Sequence, residues 1–279
     1  MTHRVLSKSL LSGTVALAGV WAVDANAGDY EVIEFDEFEP IVEINATDGD
    51  IGFHVLLDGE AWNVAKIYDS DWDRMFRGRG TDDLDEQGVT ELFMESAEPL
   101  CWDDPEAEED EEIVTLEDFV DRFEAGVYHA RGRTLEGDRL RAEGLLTHNL
   151  PGAPETEVTA EMEDGDLEIE IGWQAGSDLG NCDFPEGLIP DPASVEVVRW
   201  EIVVEPNEDQ VPEGVAIGNF MVQLPGDVDE VEIPEEWLEA YMDAGVTLFK
   251  YEVGAREESG NQTFTEDEFD INDLEIQMD

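Results

Sequence analysis

The chain has 279 residues, of which 73 are Asp or Glu and only 14 are Lys or Arg, for a formal net charge of −59 at pH 7. A chain of that sign is repelled by nucleic acid and by anionic membrane surfaces, which are bound through basic patches, and both classes of partner are therefore excluded on charge. Seven Trp and twelve Phe within a 41% hydrophobic composition exclude an acidic disordered chain, a class poor in aromatics.

Residues 1–27 read as a secretory leader, with Arg4 and Lys8 as a basic start, an apolar run from Leu10 to Val23, and Ala25-Asn26-Ala27 as a small-residue cleavage pattern. The run falls short of the ~20 residues a membrane span needs; an uncleaved N-terminal anchor is the alternative. The expectation is export to the periplasm, the cell surface or the medium, with no membrane attachment after cleavage. Cleavage takes away Arg4, Lys8 and Asp24, a net charge of +1, so −59 becomes −60. Only Lys66 and Lys250 remain as lysines, and acids occur throughout both halves. This is the pattern of a protein adapted to high salt, where the Debye length shrinks from about 8 Å at physiological ionic strength to about 3 Å at 1 M. The competing reading is that some of the carboxylates are calcium ligands.

Residues 28–150 are expected to form a β-rich domain. Tyr30–Phe38 and Ile41–Ile44 alternate apolar and acidic residues, as strands with one wet face do. Turn residues follow from Asn45 to Gly52, and Phe53–Leu57, Trp62–Tyr68 and Val89–Met94 read as further short strands separated by Asp-Gly and Gly-rich turns. Two places have the alternating carboxylates of a calcium loop: Asp48 with Asp50, and Asp69 with Asp71 and Asp73. Neither is an EF-hand, which needs glycine at position six and glutamate at position twelve; counted from Asp69 these are Arg74 and Gly80. Thr115-Leu-Glu-Asp118 approximates a capping box, and Phe119 and Phe123 before Gly126 mark a short helix ending at the glycine. Val127–Thr134 and Arg139–Leu146 flank Leu135-Glu-Gly-Asp138 as a hairpin. The run Asp103–Glu112 is acidic and of low complexity, whereas eight of the ten mature arginines lie between Arg74 and Arg141. These arginines read as relief of local repulsion through surface ion pairs, or alternatively as an anion or acidic-glycan site. Leu150-Pro-Gly-Ala-Pro154 interrupts the strand pattern and is the expected domain boundary.

From Pro151 on there is a Pro-x-x-Pro entry, then Leu167–Trp173 as a strand ending in tryptophan, then Val197–Val204 with Trp200 at its centre. The closing run Gly245-Val-Thr-Leu-Phe-Lys-Tyr-Glu-Val-Gly-Ala-Arg-Glu-Glu-Ser-Gly260 places Phe249, Tyr251, Val253 and Ala255 on one face of a strand. These residues resemble a fibronectin type III domain over 151–270, with an acidic tail at 271–279. The resemblance implies a β-sandwich and a role in adhesion, spacing or recognition more often than catalysis. Three features depart from the family: Phe249 stands where a corner tyrosine is usual, Pro234–Met242 has helical spacing in place of a simple loop, and Asp178–Ser194 is a longer loop that holds Cys182.

Cys101 and Cys182 fall in different halves, and in an oxidising compartment only one intramolecular pairing is open to them; free thiols and an intermolecular bridge are the alternatives. His54, His129 and His148 have no ligand-spaced partner in sequence and read as structural histidines. Asn45-Ala-Thr47 and Asn261-Gln-Thr263 fit the N-glycosylation pattern. No nucleophile elbow, zinc-protease helix or phosphate loop occurs, and carboxylates this abundant lose diagnostic value for glycoside hydrolysis. The expectation is an all-β protein of two β-sandwich domains, the second fibronectin type III-like, with short helices in the connections. It is read as an exported, non-catalytic recognition or structural module without a cofactor, whose partner is a protein or glycan at the cell surface. A calcium-binding β-sandwich is the alternative, and a carbohydrate-active enzyme or accessory the third reading.

Overall fold

The computed structural model describes residues 30–103, 113–163, 166–216 and 218–278. The leader at 1–27, most of the acidic run Asp103–Glu112, and Asp279 lie outside the described residues. The chain is all-β, with short helices confined to connections.

The first half begins with β1 (Val32–Glu34) and β2 (Glu37–Asn45), where buried Phe38, Val42 and Ile44 alternate with Glu37, Glu39 and Glu43. It continues as β3 (Asp50–Tyr68), β4 (Arg74–Arg79), α1 (Asp83–Gln87), β5 (Val89–Glu95), α2 (Leu116–Arg122), β6 (Gly126–Thr134) and β7 (Arg139–Leu146). The two runs Phe53–Leu57 and Trp62–Tyr68, expected as separate strands, are one strand of 19 residues. Asp58-Gly59 bends it without turning it back, with shifts of register between Asp58 and Trp62. Gly59 is used for close approach: a Cβ there would lie 2.9 Å from the Phe35 ring. The first half of β3 pairs with β2 and β5, the second half with β4 and β6. Phe53, Val55, Leu57, Ala65 and Ile67 from both halves of β3 share one core with Leu116, Phe119, Tyr128 and Leu140. The Thr115 hydroxyl caps α2 by accepting the Asp118 N–H at 3.2 Å. That helix ends at Arg122, before the glycine expected to stop it, because Phe123 leaves the helix to stack on Phe53 at 4.6 Å.

The second half contains β8 (Glu155–Glu163), β9 (Asp166–Gln174), β10 (Arg199–Pro206), β11 (Phe220–Pro225), β12 (Glu230–Glu232), α3 (Glu235–Met242), β13 (Leu248–Arg256), β14 (Gln262–Asp270) and β15 (Ile276–Met278). One sheet has the order β12-β9-β8-β15, and the strands facing it run β11-β10-β13-β14. Ile169, Ile171 and Trp173 of the first meet Trp200, Ile202, Val204, Phe249, Tyr251, Val253 and Ala255 of the second in a core of their own. This is an immunoglobulin-like sandwich, with the residues of β13 on the face that their period of two requires. Phe249 is fully buried and lacks a hydroxyl, but α3 brings Tyr241 against it at 6.3 Å. The Tyr241 hydroxyl donates to the Gly218 carbonyl at 3.0 Å and accepts the Gly218 N–H at 2.8 Å. The helix that departs from the family thus supplies an anchoring hydroxyl.

Two features tie the cores together. β14 runs parallel to β2 through Gln262–Glu43, Thr263–Ile44 and Phe264–Asn45, so a single eleven-stranded sheet joins both halves. Cys101 and Cys182 form a disulfide with Cα atoms 5.2 Å apart. Both half-cystines, with Leu179 and Ile189 of the long loop, lie in the first core. Closing a loop of 81 residues stabilises by about 4 kcal/mol on the loop-entropy account.

Neither sequon asparagine is available for a glycan: Asn45 is 4% exposed and Asn261 0%. The Asn261 side chain accepts the Val42 N–H at 2.8 Å and donates to the Thr147 carbonyl at 3.0 Å, joining β2 to the link that precedes β8. Asn261→Ala leaves both backbone groups unsatisfied in the interior, each costing about 1–3 kcal/mol. Urea unfolding should show a loss of at least about 2 kcal/mol; an unchanged midpoint would mean that this asparagine does not join the halves.

Candidate functional site

The turn between β2 and β3 is built by Asn45, whose side-chain oxygen accepts the N–H groups of Thr47 at 3.0 Å and Asp48 at 3.2 Å. Gly49 takes a left-handed φ of 75° and lies beneath the Trp102 ring, whose indole N–H donates to the Asp48 carbonyl at 3.1 Å. Asp50 follows, half-buried, and its carboxyl is pushed up to about 7 by burial first and then by Glu98, Asp48 and Glu266. Two candidate ligands from the sequence, Asp48 and Asp50, are therefore gathered with two carboxylates distant in sequence.

Asp50, Gly52 and His54 share one face of β3. His54 is 2% exposed; its Nε2 lies 2.9 Å from Glu98 Oε1 and its Nδ1 3.8 Å from Glu43 Oε1. Glu43 stands directly opposite Gly52 in the β2–β3 register. A Cβ at Gly52 would fall 2.7 Å from His54 Nε2 and 2.9 Å from Glu98 Oε1, so the glycine keeps the space between them open. Burial raises the Glu43 carboxyl, His54 opposes that shift, and Glu98, Glu201 and Glu95 add to it. One potential ligand atom each from Glu43, His54 and Glu98 lie within 4.8 Å of one another. Imidazole with two carboxylates is a donor set for a divalent transition metal, whereas calcium takes oxygen ligands alone. This cluster was missed in sequence because Glu43 and Glu98 are brought to His54 by pairing and by the segment after β5.

The second acidic run is placed elsewhere and used differently. Asp69 Oδ1 accepts the N–H groups of Asp71 at 3.1 Å and Asp73 at 2.8 Å, which makes it the staple of the β3–β4 turn. The product of that staple is Trp72, held at a left-handed φ of 67° and 49% exposed. Its ring stacks on His129 at 3.7 Å, Tyr68 lies 5.8 Å away, and the Arg131 guanidinium sits 5.0 Å from the ring centroid. Burial beneath Trp72 lowers the His129 pKa, with Glu143 opposing the shift. A non-glycine residue in this backbone region carries strain that its surroundings must offset. Trp62 is buried in the first core and Trp102 covers Gly49, whereas Trp72 is half-exposed.

No family profile matches the chain, and no curated protein is similar to it. Among solved structures it is similar to a 1.5-MDa bacterial ice-binding adhesin involved in host cell surface retention, at 8% identity over 86% of this chain and 66% of that one, with a TM-score of 0.24. It is also similar to a Ca²⁺-stabilised adhesin that helps an Antarctic bacterium bind ice, at 11% identity over 86% and 50%, TM-score 0.27. A third is the two-domain IG1+IG2 structure of DIP-gamma, at 10% identity over 87% and 96%, TM-score 0.20. The chain spans about two thirds of the first of these and half of the second. The sandwich is established by strand order and core packing rather than by these superpositions.

Asp50 provides a pH test with a definite sign. Its folded-state pKa of about 7 exceeds the usual 3.8, so between about pH 4 and 7 the folded protein binds a proton that the unfolded chain has released, and stability rises as pH falls through that window. Asp50→Asn should melt higher than wild type at pH 8 and respond less to acidification. Thermal melts of both proteins across pH 5–8 check this; parallel curves would remove the crowded-carboxylate account.

Proposed function

We propose that this chain is an exported, non-catalytic recognition or adhesion module, a fibronectin type III-like sandwich joined to an N-terminal β domain, that presents Trp72 to a partner. Trp72 carries the reading. A large aromatic side chain is held half-exposed in a strained backbone conformation by an Asx staple, a histidine and an arginine, which is costly for a residue with no partner and suits a binding anchor. The leader and the disulfide support export to an oxidising compartment, and the acidic surface supports a salt-rich one. The partner class is a protein or a glycan at the cell surface. Binding of the mature protein to a panel of surface polysaccharides and proteins should reveal a ligand whose affinity falls at least tenfold in Trp72→Ala. An unchanged profile in that variant, or release of cleaved sugar from the panel, overturns the reading.

The Glu43–His54–Glu98 cluster beside Asp50 favours a second reading, in which a divalent cation stabilises the fold. Thermal midpoints separate it from salt adaptation. A midpoint that rises with sodium chloride and is indifferent to added divalent cation at fixed ionic strength marks the acidity as screening chemistry. A rise of several degrees with cation alone, lost in Glu98→Gln, makes the cluster a metal site, with zinc or manganese exceeding calcium if the imidazole is a ligand.

A further inference from the structure

The exposed face of the first-half sheet carries a cationic lattice in a chain that has 14 cations against 73 carboxylates. Lys66 of β3 is directly opposite Arg77 of β4 on one side and Arg131 of β6 on the other. Arg131 is opposite Arg141 of β7. A second row, two residues along, runs Arg79, Val64, Arg133, Arg139. Directly opposed residues of antiparallel strands point to the same face, and here that face is the outer one: the intervening Ala65, Ile67, Tyr128, Ala130 and Leu140 are buried in the core. Four opposed pairs are cation against cation, and each such pair is destabilising. Ion pairing accounts for the ends of the lattice, where Arg79 meets Asp85 at 3.6 Å and Arg141 meets Glu34 at 3.3 Å. Among the described residues, Lys66, Arg77 and Arg139 have no carboxylate within ion-pair distance. Glu143, opposite His129 on the same face, acts on Arg131, so relief of local repulsion, one expectation from sequence, accounts for part of the face and leaves Lys66, Arg77 and Arg139 unexplained.

We infer that this face is a binding site for an acidic polysaccharide, a linear chain of uronate-type sugars. The inference rests on the recognition reading above and names the chemistry of its partner. Neighbouring strands are ~4.8 Å apart, so the row Arg77–Lys66–Arg131–Arg141 sets a cationic side chain at each strand spacing across four strands, the last of them shared with Glu34. A polyuronate carries one carboxylate per sugar ring, a repeat of similar length. Trp72 lies over the same face, against His129 and Arg131, where an aromatic ring can take the C–H face of a sugar. The net charge that disfavours anionic partners in general restricts this one to the lattice, since the rest of the surface repels it. A rod as wide as a nucleic-acid duplex would overlap that acidic surround, whereas a single polysaccharide chain follows the row.

The test uses the mature protein with defined oligouronates, a neutral oligosaccharide of matched length and a single-stranded oligonucleotide of matched charge, followed by calorimetry and thermal melting. Wild type should bind the oligouronate and neither of the others. Arg77→Glu with Arg139→Glu should weaken that binding at least tenfold without lowering the melting midpoint, because the changes convert the like-charged pairs Lys66–Arg77 and Arg133–Arg139 into opposite-charged ones. If the arginines serve only the fold, the double variant melts lower and binds as before, which overturns the inference. Binding of a neutral or protein ligand that depends on Trp72 and ignores the two arginines would overturn the polysaccharide assignment while leaving the recognition reading in place. Oligonucleotide binding as tight as oligouronate binding also overturns the assignment, and absence of any ligand sensitive to Trp72 or to the arginines removes both.

Discussion

One strand, β3, hydrogen-bonds along its length to four others, and the positions of both candidate sites follow from its register. Because it passes through Gly59 without reversing, its inward residues build one core from two directions. The same continuity sets Asp50, Gly52 and His54 at one end and Lys66 at the other. A shift by one residue would exchange the faces, turning Ile67 to solvent and Lys66 into the core, so the buried residues enforce the placement of the charged ones. The charged surface is in this sense a by-product of core packing, inherited by every strand that pairs with β3.

Charge is segregated on that scaffold. At the end of β3 nearest the β2 turn, carboxylates crowd until burial and mutual repulsion hold Asp50 near pH 7, while the opposite end gathers a large share of the chain's few cations. Each arrangement opposes folding locally. Each is compensated only in part, by His54 beside Glu98 in the one and by Glu34 and Asp85 at the margins of the other, and a bound ion or an anionic chain there would have a large differential affinity for the folded state.

The two halves are joined by polar and covalent devices as well as by apolar residues of the long loop, Leu179 and Ile189, that lie in the first core. Asn261 spends both ends of its side chain on backbone groups of other segments. The disulfide fixes the long loop of the second half in the core of the first, and the parallel pairing of β14 with β2 continues the sheet between them. Such links constrain geometry sharply, because a misaligned hydrogen bond or an unpaired backbone group in the interior costs more than an imperfect hydrophobic contact.

Much of the fold was legible in the sequence. Period-two alternation located β9, β10 and β13, while Tyr30–Phe38 and Ile41–Ile44 are divided in the structure at Phe35-Asp36 into β1 and β2; the Leu135–Asp138 turn located the β6–β7 hairpin, and Pro234 with Gly245 bracketed α3, since these signals are local and act over a few residues. Asp58-Gly59 misled because a glycine needed for a turn and one needed to admit the Phe35 ring look alike until the ring is in place. The candidate sites were legible only in pieces. Asp48, Asp50 and the arginine-rich stretch stood out in composition, but Glu98 beside His54, Trp72 on His129, and Lys66 between Arg77 and Arg131 are relations between strands. The sequence by itself determined the all-β class, the leader pattern, the extreme acidity and the period of each strand, because composition and alternation are properties of single segments. The tertiary structure alone decided which charges face one another, because register is set by the collective burial of many side chains across several strands, and no one segment contains it.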